Sequence, residues 1–319
     1  MSRGITDRLP NWLQENLVEA MLFLALIGLV VLMAQLSSAF LSTRNLFNII
    51  RFITEIGIIS LGMTAVILTG GIDLSVGSVV GMCGIILGVL FAAGFNVWLA
   101  AAIAIGAGAL AGLINGAIVV LTGVHSLVVT LATLAIYRGI AFGISQGDSY
   151  GGFPEAFFAL GQGRVGPVPV QLFVFVVLAI AVGVALSRTT FGRALYGLGH
   201  NETAARFSGL QVSRIKLAIF TLTGMLSGIA AVIFVSRVSS ARGDAGQLLE
   251  LDVITAVVLG GTALTGGRGT ILGTMLGLLI IGVLRNGLTL AFVPLGAQAV
   301  FVGVILIVAV SINRWLRGR

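Results

Sequence analysis

The sequence predicts an all-α integral membrane protein, a polytopic bundle of about ten transmembrane helices with both termini cytoplasmic. Three observations predict it. Of its 319 residues, 58% are hydrophobic and 9% charged, whereas a soluble domain carries about 25% charged residues. Apolar runs of roughly 20 residues, the length that crosses a bilayer, recur along the whole chain. The basic residues gather in alternate connections, the asymmetry that marks the cytoplasmic side.

The spans read as 17–36, 52–68, 76–95, 97–121, 127–144, 170–186, 215–235, 251–264, 271–292 and 297–312. No cleavable signal precedes them, because the first apolar run is itself long enough to span. The third, fourth, eighth and ninth are so rich in Gly and Ala that they are expected to pack inside the bundle. With the N-terminus inside, one set of connections holds Arg3, Arg8, Arg188, Arg193, Arg206, Arg214, Lys216, Arg268, Arg314, Arg317 and Arg319. The opposite set holds only Arg44, Arg51, Arg164, Arg237 and Arg242. The net charge of +7 therefore follows from membrane topology and does not point to nucleic acid. Cys83 is the only cysteine, which excludes an internal disulfide and a cysteine metal cluster.

Between the second and third spans lies Thr69-Gly70-Gly71-Ile72-Asp73-Leu74-Ser75-Val76-Gly77-Ser78. A carboxylate there needs protein, water or the membrane surface, and the glycines permit irregular backbone. Asp73 is read as the N-cap of the third span, on the cytoplasmic side, in a structural hinge of a gate. A similar passage recurs later: Thr64-Ala65-Val66-Ile67-Leu68 is echoed by Thr255-Ala256-Val257-Val258-Leu259, and each is followed by a Gly-rich polar break. Duplicated halves with paired breaks occur in transporters and flank the pathway.

Two long connections fall outside, 145–169 and 236–250, and could either meet a soluble partner or serve as solvated connectors. The long inside connection, 187–216, contains a helix of about two turns. Asn201 is its N-cap, Glu202 suits its positive end and Gly209 its C-terminus. Such a helix is too short to stand alone in water, so the bundle or a partner must hold it. Ala204, Ala205 and Phe207 offer it a small apolar docking surface.

No motif carries catalysis. The 261–268 stretch superficially resembles a phosphate loop, but Gly267 stands where its lysine would be. His125 and His200 stand alone in connections, and no His/Asp/Glu cluster has metal spacing. Within spans, Asn115, Thr130, Thr133, Tyr137, Arg138, Thr255, Thr262, Arg285 and Asn286 either bond neighbouring helices or serve a pathway. Arg138 and Arg285 have the further option of snorkelling outward.

Three passages together resemble the permease subunits of bacterial ABC sugar importers, the ribose, xylose, rhamnose and autoinducer-2 type. They are Thr69 to Ser78, Gly199 to Gly209, and Leu251 to Gly261 with the following Gly266-Gly267-Arg268-Gly269-Thr270. The resemblance runs from about Phe47 to Ile312. It implies a single permease domain over 1–319 in the bacterial plasma (inner) membrane, paired with an identical or sister permease. It also implies a separate ABC ATPase and an extracytoplasmic sugar-binding protein. This chain would bind no cofactor, ATP and Mg belonging to the ATPase. By the same resemblance Asn201, Glu202, Thr203, Ala204, Ala205, Arg206, Phe207, Ser208 and Gly209 form the helix that couples to the ATPase. Thr69, Asp73, Ser75, Asn115, Thr133, Tyr137, Arg285 and Asn286 are the candidates for pathway or gate. One departure is Arg285, which stands where the family often has an asparagine before Asn286-Gly287-Leu288. The stretch Gly151-Gly152-Phe153-Pro154 with Phe157 is closer to the autoinducer-2 type. The alternatives are an ion-coupled secondary transporter using Asp73 as its titrating carboxylate, and a non-transporting membrane scaffold or receptor.

Overall fold

The computed structural model describes residues 11–317, so Arg3, Arg8 and Arg319 of the charge asymmetry lie outside the described residues. The elements in order are α1 (Asn11–Leu36), α2 (Thr43–Leu68), α3 (Val76–Ala92), α4 (Val97–Thr122), α5 (Ser126–Ser145) and α6 (Glu155–Phe158). A two-strand hairpin, β1 (Arg164–Val165) and β2 (Val168–Pro169), leads into α7 (Val170–Arg188). Then come α8 (Thr190–His200), α9 (Glu202–Phe207), α10 (Val212–Val238), α11 (Leu249–Leu259), α12 (Ile271–Leu290) and α13 (Leu295–Arg317). Among the described residues, seven helices are long and apolar enough to cross a membrane: α1, α2, α4, α5, α7, α10 and α12.

The ends of these helices are set by short polar side chains, as their orphan backbone groups require. Ser42 accepts from Asn45 N at the start of α2, Asn96 from Trp98 N at α4, and Thr270 from Gly273 N at α12. His125 does the same for α5, its Nδ1 accepting from Leu127 N at 3.2 Å.

α2 is the axis of the bundle: 83% of its most apolar window is buried, against 11% for α1 at the edge. α10 runs beside it and packs closely on α4. Closeness there depends on bare backbone, since a Cβ at Gly112 would strike the carbonyl of Phe220. α3, α4 and α5 gather on one side of α10, while α12 and α7 flank α2 on the other. Contrary to the expectation from its Gly and Ala content, α4 buries only one face, with 39% of its window covered. Its small residues meet α10, and Leu110, Leu113 and Leu121 face outward.

Of the span boundaries that differ from the sequence reading, those of two helices shape the site. α2 begins at Thr43 rather than Phe52, because the polar first turns are helical too. The eighth span, expected over 251–264, is an 11-residue helix, α11. At 1.5 Å per residue it covers about 16 Å, roughly half a hydrocarbon core. The remaining depth is supplied by residues 239–248, which enter the bundle instead of forming a solvated connector. Ala241 lies beside Gly88 near the far end of α3, and Gly246 beside Gly77 in its first turn. Ala241 and Ala245 are buried along this descent.

The echo between the two halves is structural. α2 ends with Gly71 N donating to Val66 O at 3.1 Å and Gly70 N to Ile67 O at 2.8 Å. α11 ends in the same pattern at the matching positions, Thr262 N to Val257 O at 3.2 Å and Gly261 N to Val258 O at 3.0 Å. Gly70 and Gly261 both take the left-handed conformation, with φ of 79° and 88°, that this paired termination needs. The two breaks that follow, 69–75 and 260–270, come together at one end of the bundle, where α8 and α9 also lie.

Candidate functional site

The first break is built around Asp73. Its side chain is buried, and Oδ1 accepts from Ser75 N at 2.9 Å and from Ser75 Oγ at 2.6 Å. The expectation that Asp73 N-caps α3 is corrected here. Ser75 holds the cap position, and Asp73 instead closes a tight turn onto the residue two ahead. The Ser75 hydroxyl passes the network on, accepting from Asn115 Nδ2 of α4 at 2.8 Å. Tyr137 of α5 donates from its hydroxyl to Asn115 Oδ1 at 3.0 Å and to Ala111 O at 2.9 Å. A continuous polar line thus joins the break to α4 and α5 inside an apolar bundle, where each unmet group would be expensive.

The same break is clamped from outside that line. Ile72 N donates to Ser126 Oγ and Leu74 N to Thr130 Oγ1, both at 3.0 Å. Thr130 also lies near Ile72 O and Ser126 O, at 3.1 and 2.9 Å. Ser126 went unremarked in the sequence because a serine opening an apolar helix looks like an ordinary end residue. On the opposite side Gly267 N donates to Leu68 O at 2.8 Å, and Tyr196 of α8 donates to Gly269 O at 2.8 Å. Both breaks and the end of α8 therefore form one closed plate of backbone.

Of the eight candidate pathway residues, Asp73, Ser75, Asn115 and Tyr137 are brought together. Thr69 bonds back to Val66 O at the end of its own helix and lines a cleft beside the break. Thr133 is buried on α5 but outside the line, 3.4 Å from Thr130 O. Arg285 and Asn286 belong to a separate group. Arg285 pairs with Asp252 of α11, Nη2 to Oδ1 at 2.7 Å and Nε at 3.1 Å, with its side chain only 12% exposed, so it does not snorkel. Asn286 exchanges amide hydrogen bonds with Asn45 of α2 at 2.7 and 2.8 Å. Arg138 also turns inward, donating to the carbonyls of Gly243 and Ala245 at 2.7 Å each and so holding residues 239–248 in place. A carboxylate overlooked in the sequence, Glu55 in the middle of α2, is buried and paired with Arg237 Nε at 2.6 Å. Its signal was present, since it interrupts an otherwise apolar run.

The short helix α9 projects at the plate end. Asn201 Oδ1 accepts from Ala204 N at 3.0 Å. At the other end Leu210 N donates to Ala205 O and Gly209 N to Arg206 O, with Gly209 at φ 87°. The bundle is what holds this helix. Ala205 is buried, and Glu202 binds Lys216 of α10 at 2.8 Å and Arg206 at 3.2 Å. Partial burial alone would push the Glu202 carboxyl up, but Lys216 and Arg206 outweigh it and hold it below the usual range. The expected docking surface is corrected accordingly: Ala205 faces inward, whereas Ala204 and Phe207 face out, Phe207 being 89% exposed. Between α9 and the first break lies a cleft of about 460 Å³, lined by Thr69, Gly70, His125, Glu202, Arg206 and Lys216 among others.

The former outer connections are also ordered. Tyr150 and Ala241 pair through both backbone groups at 3.0 and 2.8 Å, and Phe153 and Phe157 stack at 5.2 Å over Phe91 and Trp98. Together they cap the end of the bundle opposite α9. Among the described residues no group of His, Cys, Asp and Glu is placed to hold a metal ion.

Residues 45–310 match the family described as "Branched-chain amino acid transport system / permease component". The chain belongs to that permease family. It is 40% identical to the ribose import permease protein RbsC of Bacillus subtilis (strain 168), over 92% of this chain and 91% of that protein. RbsC of Escherichia coli (strain K12) is 38% identical over 93% of this chain and 94% of its own. The autoinducer 2 import system permease protein LsrD of Yersinia enterocolitica is 41% identical over 90% of each chain. No solved structure matches the permease. Such permeases are membrane subunits of ATP-driven importers, with hydrolysis on a separate subunit. The ion-coupled reading built on Asp73 and the scaffold or receptor reading fall with that membership. The family description names amino acids, whereas these relatives are named for ribose and autoinducer 2.

Proposed function

We propose that this permease imports a monosaccharide or a related small polyol-like solute, delivered by an extracytoplasmic binding protein. That its relatives are ribose and autoinducer 2 permeases supports a sugar-like solute over an amino acid. In this reading both termini, α8, α9 and the two breaks face the cytoplasm. Two permeases, identical or sister chains, assemble in the lipid bilayer. The cap built from residues 150–158 and Ala241 receives the binding protein. ATP and Mg stay on the partner ATPase, into which α9 docks.

The observation that carries this reading is α9 itself. A six-residue helix capped at both ends, pinned to α10 and presenting an 89% exposed phenylalanine is built to be gripped by another protein. It stands across a cleft from the backbone plate that closes the bundle. A push on α9 reaches the first break through Lys216 and the walls of that cleft. The break, tied to α4 and α5 through Ser75 and Asn115, then moves with them.

The test is solute uptake by proteoliposomes holding the permease, its ATPase and its binding protein. Phe207→Asp should abolish ATP-dependent uptake and detach the ATPase while leaving the permease folded. Ala205→Asp should instead release α9 from its own bundle, seen as faster hydrogen exchange over 202–210. Normal ATP-driven uptake in Phe207→Asp would remove α9 from the coupling role.

A further inference from the structure

A second charged cluster lies where α2, α7 and α10 meet the β1–β2 hairpin, at the end of the bundle opposite α9. Arg237 of α10 is neutralised there, its Nε and Nη2 donating to Glu55 at 2.6 and 3.0 Å. Two neighbouring cations are not. Arg51 and Arg164 are near enough to interact electrostatically, and Arg237 is near enough to Arg51 to do the same. Neither Arg51 nor Arg164 has a carboxylate partner among the described residues.

Arg51 donates from Nη2 to Gln162 O at 3.2 Å, and its Nε is buried with no partner. Arg164 lies over the Phe47 ring at 5.6 Å. Gln171, two residues past Pro169, the strand partner of Arg164, is fully buried with neither amide atom paired. Like charges gathered beside unmet buried donors are unfavourable unless an anion completes the group.

We propose that Arg51 and Arg164 form a binding site for the phosphate of an anionic phospholipid. Planar guanidinium forks match phosphate oxygens, and among the described residues no carboxylate meets either arginine. Depth selects lipid over a soluble anion. Arg51 stands eight residues into α2, about 12 Å along an axis about 39 Å long. In a hydrocarbon core of about 30 Å this puts its Cα just inside the apolar boundary, with the side chain able to reach headgroup level. The surroundings suit acyl chains: Leu46, Val165 and Phe173 are exposed at 43, 63 and 48%.

The experiment uses the full-length permease in phosphatidylcholine nanodiscs containing spin-labelled phosphatidylglycerol, and reads the motionally restricted fraction of the label. The wild type should select phosphatidylglycerol, and R51Q/R164Q should weaken that selection about tenfold. R51K/R164K, which keeps both charges, should retain most of it. R164Q alone alters only an exposed hairpin residue, so it should lower the selection with the fold intact. Inorganic phosphate at millimolar concentration should leave the wild-type signal unchanged. Equal selection in the wild type and R51Q/R164Q would overturn the site. Displacement by inorganic phosphate would overturn its assignment to lipid. Unchanged lipid selection with lost binding-protein docking in R164Q would assign the arginines to a protein partner instead.

Discussion

The backbone N–H of Gly267 donates to the carbonyl oxygen of Leu68 at 2.8 Å, joining the break of one repeat to the helix end of the other. The carbonyl is an orphan of the α2 terminus and would otherwise need water or a side chain. Meeting it with the partner repeat makes the two breaks a single mechanical unit. Separation of the halves at this end requires that bond to open.

Gly267 sits at φ 76°, and a Cβ there would approach His200 Nδ1 at 2.6 Å. Gly267→Ala therefore combines a left-handed backbone penalty of about 1–2 kcal/mol with a clash. The expected outcome is a thermal unfolding midpoint several degrees lower and uptake reduced severalfold. An unchanged midpoint and rate would show that the plate bears no load.

Asp73 acts as an acceptor, holding Ser75 by its N–H and its hydroxyl. An amide oxygen can accept both bonds. Asp73→Asn should thus keep most of the uptake, whereas Asp73→Ala should lose it, with the thermal unfolding midpoint little changed in Asp73→Asn. Equal loss in the two variants would assign the function to the charge.

Arg285 and Asp252 are 12 and 6% exposed, so each leaves the other stranded if removed alone. Arg285→Met should destabilise the fold by about 3 kcal/mol, while Arg285→Met with Asp252→Leu should recover most of that. Chemical unfolding of the four members of this cycle measures the coupling directly. Independent, additive effects would mean that the pair does not interact as drawn.

The α9 anchor has a defined pH dependence. Glu202 is held below its ordinary value by Lys216 and Arg206, which outweigh the opposing effect of burial. The stabilisation is therefore present above the ordinary glutamate value of about 4.3 and is lost as pH falls through the lowered one. Hydrogen-exchange protection over residues 202–210, taken relative to the intrinsic exchange rate at each pH, should be high at neutral pH and fall on acidification below about pH 4. Glu202→Gln should show the low protection at every pH.

The sequence was most legible where composition and local chemistry decide the outcome. Asn201 and Gly209 bracket a helix because one side chain and one backbone conformation satisfy its ends, and both are visible in the residue order. The break at Asp73 was equally plain, since glycines and a carboxylate interrupt apolar runs. The role of Asp73 was not, because choosing between a cap and a tight turn depends on which N–H the carboxylate meets. Partners distant in sequence were hidden for the same reason. Nothing local says that Arg138 meets Gly243, that Glu55 meets Arg237, or that Asn45 meets Asn286. The true length of α11 was obscured because residues 260–264 are apolar enough to prolong the run yet lie in a loop.

The descent of residues 239–248 beside α3 bears on how the permease is made. An 11-residue helix approached by irregular backbone cannot be released into lipid as a span in its own right. Its carbonyls at Gly243 and Ala245 accept from Arg138, more than a hundred residues earlier in the chain. α3 and α5, which precede this passage in the chain, are the elements that receive it. The second repeat is then assembled upon the first, and lesions in α5 should expose α11 to quality-control proteolysis even when every codon of the second half is intact.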